Sequence, residues 1–347
     1  MAKPVPSTGQ INWGTPLNAH LSQLNEPSTG GINFAPEPPT GLGAGDEGYT
    51  YVNTTFREIQ RWNGSEFEVL MGGVATGRER LEQTRTYYIN VDTGDDNNDG
   101  LTSGSAFKTI QKASNLIRNK IDSNGFSVII SLAESVNPYD GASFDDVRNV
   151  ILQGNNANPA AVRIQANNTL GTVNAAVRVA NEALVIIKGV SFAPSPVQID
   201  NAQAVSLSFN ARCLLSRVNF EDITTNANLG IHISSLYGGF VDFQDDYSVS
   251  GSAVYHIFLS GQSQARFYKF NATINVTVSN NPNFGGAFID CNSQSSCSVE
   301  PTTFTGSATG KRYSLRVQSS IITNGQGQDL FPGNVAGTAD ASSVYVA

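Results

Sequence analysis

Cysteine is scarce in this 347-residue chain: Cys213, Cys291 and Cys297 are all it has. An odd count excludes a fully paired disulfide framework, and "CNSQSSC" has neither CxxC spacing nor a histidine pair for zinc. Spacing alone leaves a Cys291–Cys297 bridge open; reduced structural thiols are expected. Charge is sparse too, at 14% of residues with a net value of −8. That balance excludes a basic footprint for nucleic acid or an anionic membrane. Apolar runs are too short to span a bilayer, and the opening "MAKPVPSTGQ" lacks an apolar signal core, so neither membrane insertion nor secretion is expected. The three histidines, His20, His232 and His256, show no second ligand nearby in sequence. Alternation in Ile231-His232-Ile233 predicts that His232 points outward, to solvent.

What is abundant is turn chemistry. The chain carries 33 Gly and 14 Pro and is rich in Asn, Ser and Thr, a mixture suited to many short strands. Residues 1–45 are Pro-, Gly- and Thr-rich, with Trp13, Leu17, Leu21 and Leu24 on one face of a short helix. The following "PSTGGINFAPEPPTGLGAG" predicts no regular structure. Residues 46–75 read as a small β-hairpin module around Asn63-Gly64, and 76–86 as a linker. Such thin modules gain a core by docking or by assembly.

From residue 87 onward the chain repeats. Val177-Arg178-Val179, Val205-Ser206-Leu207, Ile231-His232-Ile233, Ile257-Phe258-Leu259, Phe288-Ile289-Asp290 and Leu315-Arg316-Val317 recur at steps of 28, 26, 26, 31 and 27 residues. Short period-2 strands at such a period predict an all-β solenoid, a parallel β-helix over 87–322. Residues 323–347 form an end segment. A solenoid exposes its ends, and "SAFKTIQKASNLIRNKI" supplies a cap. Phe107, Ile110, Ala113, Ile117 and Ile121 make one apolar stripe, predicting a helix over 105–121 with Thr102, Ser103 or Ser105 as N-cap.

Ahead of that helix lies Asp95-Asp96-Asn97-Asn98-Asp99-Gly100, the first half of a calcium-loop pattern. The twelfth position, where a bidentate Glu belongs, is Ala106. An Asx-rich turn with Gly100 at positive φ is the reading expected. A structural calcium on Asp92, Asp95, Asn97 and Asp99 stays open; no other cofactor is expected.

At this point the residues resemble a known group. "YINVDTGDDNNDGLTSGSAFKTIQKA" resembles the entry segment of pectate-lyase-like right-handed β-helices of bacteria and viruses. "FTGSATGKRYSLRVQSSIITNGQGQDLFPGNVAGTADASSVYVA" is similar to the ends of tailed-bacteriophage tail fibres and tailspikes, "YTYVNTTFREIQRWNGSEFEVL" to their small hairpin units, and "INWGTPLNAHLSQLN" to their openings. The resemblance implies a homotrimeric virion protein, made in the bacterial cytoplasm. Its N-terminus, through Trp13, Leu17, Leu21 and Leu24, would hold other phage tail proteins, and its β-helix would face a bacterial lipopolysaccharide or capsule. Two other roles stay open, a polysaccharide depolymerase on the same scaffold and a purely structural tail component.

Cleavage needs two carboxyls roughly 5 to 10 Å apart, one of them kept protonated. Glu221, Asp222, Asp242, Asp245 and Asp246 are the candidates, with Glu221/Asp222 expected one coil from Asp245/Asp246. Tyr237, Tyr247, Tyr255 and Tyr268 are the candidates for stacking on sugar rings.

Overall fold

A computed structural model describes residues 32–35, 40–46, 49–53, 58–72, 78–166, 174–195, 201–223 and 230–347. His20 and the proposed attachment residues Trp13, Leu17, Leu21 and Leu24 lie outside these. Two compact units divide the chain, residues 1–79 and 80–347. Among the described residues no helix is long and apolar enough to cross a membrane.

The first unit holds a four-stranded sheet of Ile32–Ala35, Thr50–Asn53, Glu58–Trp62 and Phe67–Gly72, in that order. Asn63-Gly64 turns the last hairpin: the Asn63 side chain accepts the Ser65 and Glu66 amides, and Gly64 takes φ 98. Ile32–Ala35 corrects the prediction of irregular chain. It pairs in parallel with Thr50–Asn53, whose edge supplies the backbone partners that Gly- and Pro-rich flanks cannot.

The second unit is a parallel β-solenoid of about seven coils, each with three strands. One coil illustrates them: Ala175–Ala180 on a first face, Leu184–Lys188 on a second and Ser191–Ala193 on a third. Each strand pairs in parallel with its counterpart one coil on. Like residues therefore stack about 4.8 Å apart, inward ones building a continuous core. Val150, Val185, Cys213, Val241, Ala265, Cys297 and Ile321 form one such inward column. The three cysteines are free and buried, and burial pushes their thiols up.

The register differs from the prediction in places. The first-face ladder runs Val177, Val205, Ile233, Ile257, Ile289, Tyr313, at steps of 28, 28, 24, 32 and 24 residues. Ile231 instead pairs with Gln203 and Tyr255. Ile231 and Ile233 share parity and chemistry, so alternation cannot choose between them. The solenoid also continues past residue 322: Thr338–Ala339 and Val344–Val346 extend the first and second faces, and Phe331 closes over Phe288 and Phe304.

The capping helix α1 is Ile110–Lys120, later than predicted, with Thr109 as N-cap; Thr102 instead caps the short turn Ser103–Ser105. Asp96 explains the late start. Its carboxylate accepts the Lys108 and Thr109 amides and the Thr109 hydroxyl, holding that segment extended. Helix α1 buries Ile110, Ala113, Ser114 and Ile117 over the open core and covers the sheet edge. Gln111 accepts the Ser143 amide, and the Ser114 hydroxyl donates to the Ser143 carbonyl. Thr109→Ala is expected to cost about 1 kcal/mol, read as a lower urea midpoint at unchanged slope. Gly100 does take positive φ, 70°, and a Cβ there would strike the Phe107 ring at 2.4 Å.

Candidate functional site

The acids come first. Glu221 receives Arg163 through two bonds, at 3.0 and 2.6 Å, and the Ser191 hydroxyl at 2.7 Å. Asp242 receives Arg266 in the same bidentate way, with Gln244 donating as well. Asp245 lies between Arg217 and Lys269, at 2.8 and 2.7 Å, and Asp246 takes Lys269 and the Asn275 amide. Burial pushes the Asp245 carboxyl up, but Lys269, Arg217 and the Asp246 amide together hold it at about 2. Asp246 is likewise lowered, burial being outweighed by Asn275 and Lys269. A general acid needs the opposite displacement.

The expected stacking of Glu221/Asp222 with Asp245/Asp246 is not found. Leu215 pairs with Phe243 and Phe220 with Val249, so the coil here is 28 to 29 residues rather than 24. Glu221 follows a third-face strand, whereas Asp245 and Asp246 sit at the corner between second and third faces, beside Arg217.

In the acidic loop the oxygens are taken by protein donors. Asp95 accepts the Asn97 amide, Asp99 the Leu101 amide and Ser105 hydroxyl, and Asp92 the Ser135 hydroxyl and Asn137 side chain. Those bonds lower the Asp92 and Asp99 carboxyls, Ser135 and Ser105 contributing most. Among the described residues no group of three or more His, Cys, Asp or Glu is arranged to hold a metal ion.

His232 corrects the prediction of an outward residue: it and His256 are fully buried. Where the chain enters the first face, His232 and Ile233 are both buried in succession, so strict alternation fails. The His232 and His256 Nδ1 atoms are 3.0 Å apart, His232 Nε2 lies 3.1 Å from the Glu221 carbonyl and the Tyr247 hydroxyl 3.2 Å from His256 Nε2. A carbonyl only accepts, which fixes the direction of the chain. His232 donates to Glu221, His256 donates to His232, and Tyr247 donates to His256, all neutral.

That burial also removes Tyr247 from the stacking candidates; its ring lies on Phe243 at 4.6 Å. The other tyrosines occupy separate places. Tyr255 is half-buried against Phe258, and Tyr268 lies under the Arg266 guanidinium beside a groove of about 350 Å³ that includes Glu300 and Lys269. Tyr237 is 61% exposed at the corner between first and second faces.

That corner has an unusual backbone. It is a two-residue turn repeated coil after coil, with both residues at positive φ: Phe209-Asn210, Tyr237-Gly238, Gly261-Gln262, Ser293-Gln294 and Val317-Gln318. Asn and Gly suit this conformation, whereas Phe, Tyr and β-branched Val are strained in it, by about 1–2 kcal/mol each. Phe209 and Val317 are nevertheless 51% and 52% exposed. Phe209 stacks on Tyr237, rings 5.4 Å apart and 14° from parallel. Below them opens a groove of about 520 Å³ lined by Tyr237, Gly261, Gln262, Ser293, Gln294 and Val317, among others. Sequence reasoning found Tyr237 and missed its neighbours, since nothing local marks Phe209 or Val317 as turn residues.

The chain matches no protein-family model, no curated protein and no solved structure.

Proposed function

We propose that the protein is a tailspike or tail fibre of a tailed bacteriophage that holds a bacterial surface polysaccharide without cutting it. The observation that carries this reading is the exposed corner: aromatic and aliphatic side chains turned largely to solvent on a backbone that strains them. A solenoid suits the task because corners of one backbone conformation repeat along its axis and present an extended surface to an extended polymer. The resemblance adds the remaining parts: right-handed winding, assembly as a homotrimer, and attachment to other tail proteins by the segment with Trp13, Leu17, Leu21 and Leu24. Binding is favoured over cleavage because Glu221, Asp242, Asp245 and Asp246 are each neutralised by Arg or Lys.

Incubating the purified full chain with lipopolysaccharide or capsule from candidate hosts tests this, with bound polymer and released reducing ends measured together. Binding without release is expected, and Asp242→Asn, at a buried position outside the lining of the corner groove, should leave binding within about a factor of two of the parent in a folded protein. Release abolished by Asp242→Asn or Asp245→Asn would replace this reading with the depolymerase. Absence of both would favour a structural tail component.

A further inference from the structure

We infer that the corner groove between Tyr237 and Val317 is a subsite for an uncharged saccharide of a few rings, lying along the solenoid axis. The inference rests on the glycan reading above and deepens it by naming the place and the chemical class.

Shape comes first. Phe209 covers one side of Tyr237, while Gly261 on the next coil leaves the other side open. A Cβ on Gly261 would lie 3.5 Å from Tyr237 Cδ1, so the missing side chain is what frees the flank of the ring. An aromatic ring with one supported side and one bare side is a platform for a flat, largely apolar sugar ring. From Tyr237 the corner descends three coils to Val317, about 14 Å at the strand spacing, long enough for more than one ring.

Hydrogen bonding comes second. Gln262 donates to Gln294 at 3.3 Å and Gln294 to Gln318 at 2.9 Å, one amide from each of three successive coils. This chain uses one N–H of Gln262 and one of Gln294; the second N–H of each is left for a sugar hydroxyl. The relay also orders the amides before a ligand arrives, which lowers the entropy lost on binding.

Charge comes third and decides the class. The lining is Asn, Tyr, Gly, Gln, Ser and Val, with no ionic group. At the Val317 end the Asp340 carboxylate accepts the Val317 amide at 2.7 Å, setting a negative charge where an acidic sugar would extend. An anionic glycan would lose hydration here without gaining a cation, whereas a neutral hexose chain exchanges water for amides and a ring. The other groove, beside Tyr268, contains Glu300 and Lys269 and lacks this neutrality.

The test uses the full chain, uncharged hexose oligosaccharides and a matched set bearing uronic or sialic acid, with affinity and unfolding temperature recorded for each variant. Preference for the uncharged set is expected. Tyr237→Asn removes the ring but keeps a residue that accepts positive φ, and should weaken binding about tenfold in a folded protein. Gly261→Asn fills the flank of the ring and should do the same, while Tyr268→Ala should leave affinity unchanged. Glycan binding that survives both corner substitutions, or binding confined to the acidic set, overturns the subsite and leaves glycan recognition standing. Binding of neither set overturns both.

Discussion

Acidification from pH 6.5 to 4 is expected to lower stability through the buried His232–His256 pair, by on the order of a few kcal/mol. Burial pushes His232 down to about 4, and it lowers His256 well below the ordinary histidine value. Above pH 6.5 both states carry neutral rings and no penalty arises. Between 6.5 and 4 the unfolded chain takes up protons that the fold refuses, so stability falls as pH falls. Geometry gives the reason. His232 donates from Nε2 and must accept at Nδ1, and His256 must accept from Tyr247 at Nε2. A proton on His232 Nδ1 sets two N–H groups against each other, and one on His256 Nε2, which the Tyr247 hydroxyl can turn to accept, still places a charge inside a cage of Phe220, Phe243, Phe284 and Phe288. The nearby charge of Asp222 opposes the shift on His232 but is outweighed by burial. The carboxylates act in a separate window: Asp245, held at about 2, contributes stability above its ordinary value that is lost only as pH falls from there toward 2. Urea midpoints across pH 7 to 4 check this. A His232→Leu/His256→Leu variant should flatten the dependence above pH 4, and a flat parent profile would contradict the neutral chain.

Phe243→Ala is expected to cost about 3–5 kcal/mol. Phe243 is fully buried, with its ring 4.5 Å from that of Phe267 and 4.6 Å from that of Tyr247. Truncation leaves a hole between successive coils at the place where Tyr247 is held against His256. Because each coil rests only on its neighbours, the damage should be local, with faster amide exchange from 240 to 267 before the ends of the solenoid respond. Phe209→Ala makes the contrast. The same deletion at the exposed corner should change stability by less than about 0.5 kcal/mol. Equal losses from the two variants would contradict the assignment of Phe209 to a surface and Phe243 to the core.

Much of the solenoid could be read from the chain because its signals are local and repeated. Val177 and Val205 recur at one coil's length and Ile257 two coils further on, and Ile110, Ala113 and Ile117 mark one helical stripe, so architecture and cap follow from period alone. What escaped depends on phase or on distant partners. Ile231 and Ile233 fit the same alternation, and only pairing with Val205 selects Ile233. His232 looks like a solvent-facing residue until the next coil, pairing in register, stacks His256 on it at 3.0 Å. The 24-residue gap from Glu221 to Asp245 looks like one coil, but coil length varies, and Arg163 and Lys269 take the acids instead. Ile32–Ala35 became a strand because a hairpin edge was available. The corner was hardest to foresee, since Phe209, Tyr237 and Val317 occupy positions that local propensity gives to Gly or Asn.

The proposed function turns on that conflict: on that proposal, strain at the corner is retained because the exposed ring binds a ligand. Replacing Tyr237 by Asn relieves the strain and deletes the ring in one step, so unfolding temperature and glycan affinity measured on the same preparation test it most directly. The expected result is a rise of about 2 °C together with weakened binding. A lower unfolding temperature with binding intact would contradict it, making the corner a piece of the fold rather than a site.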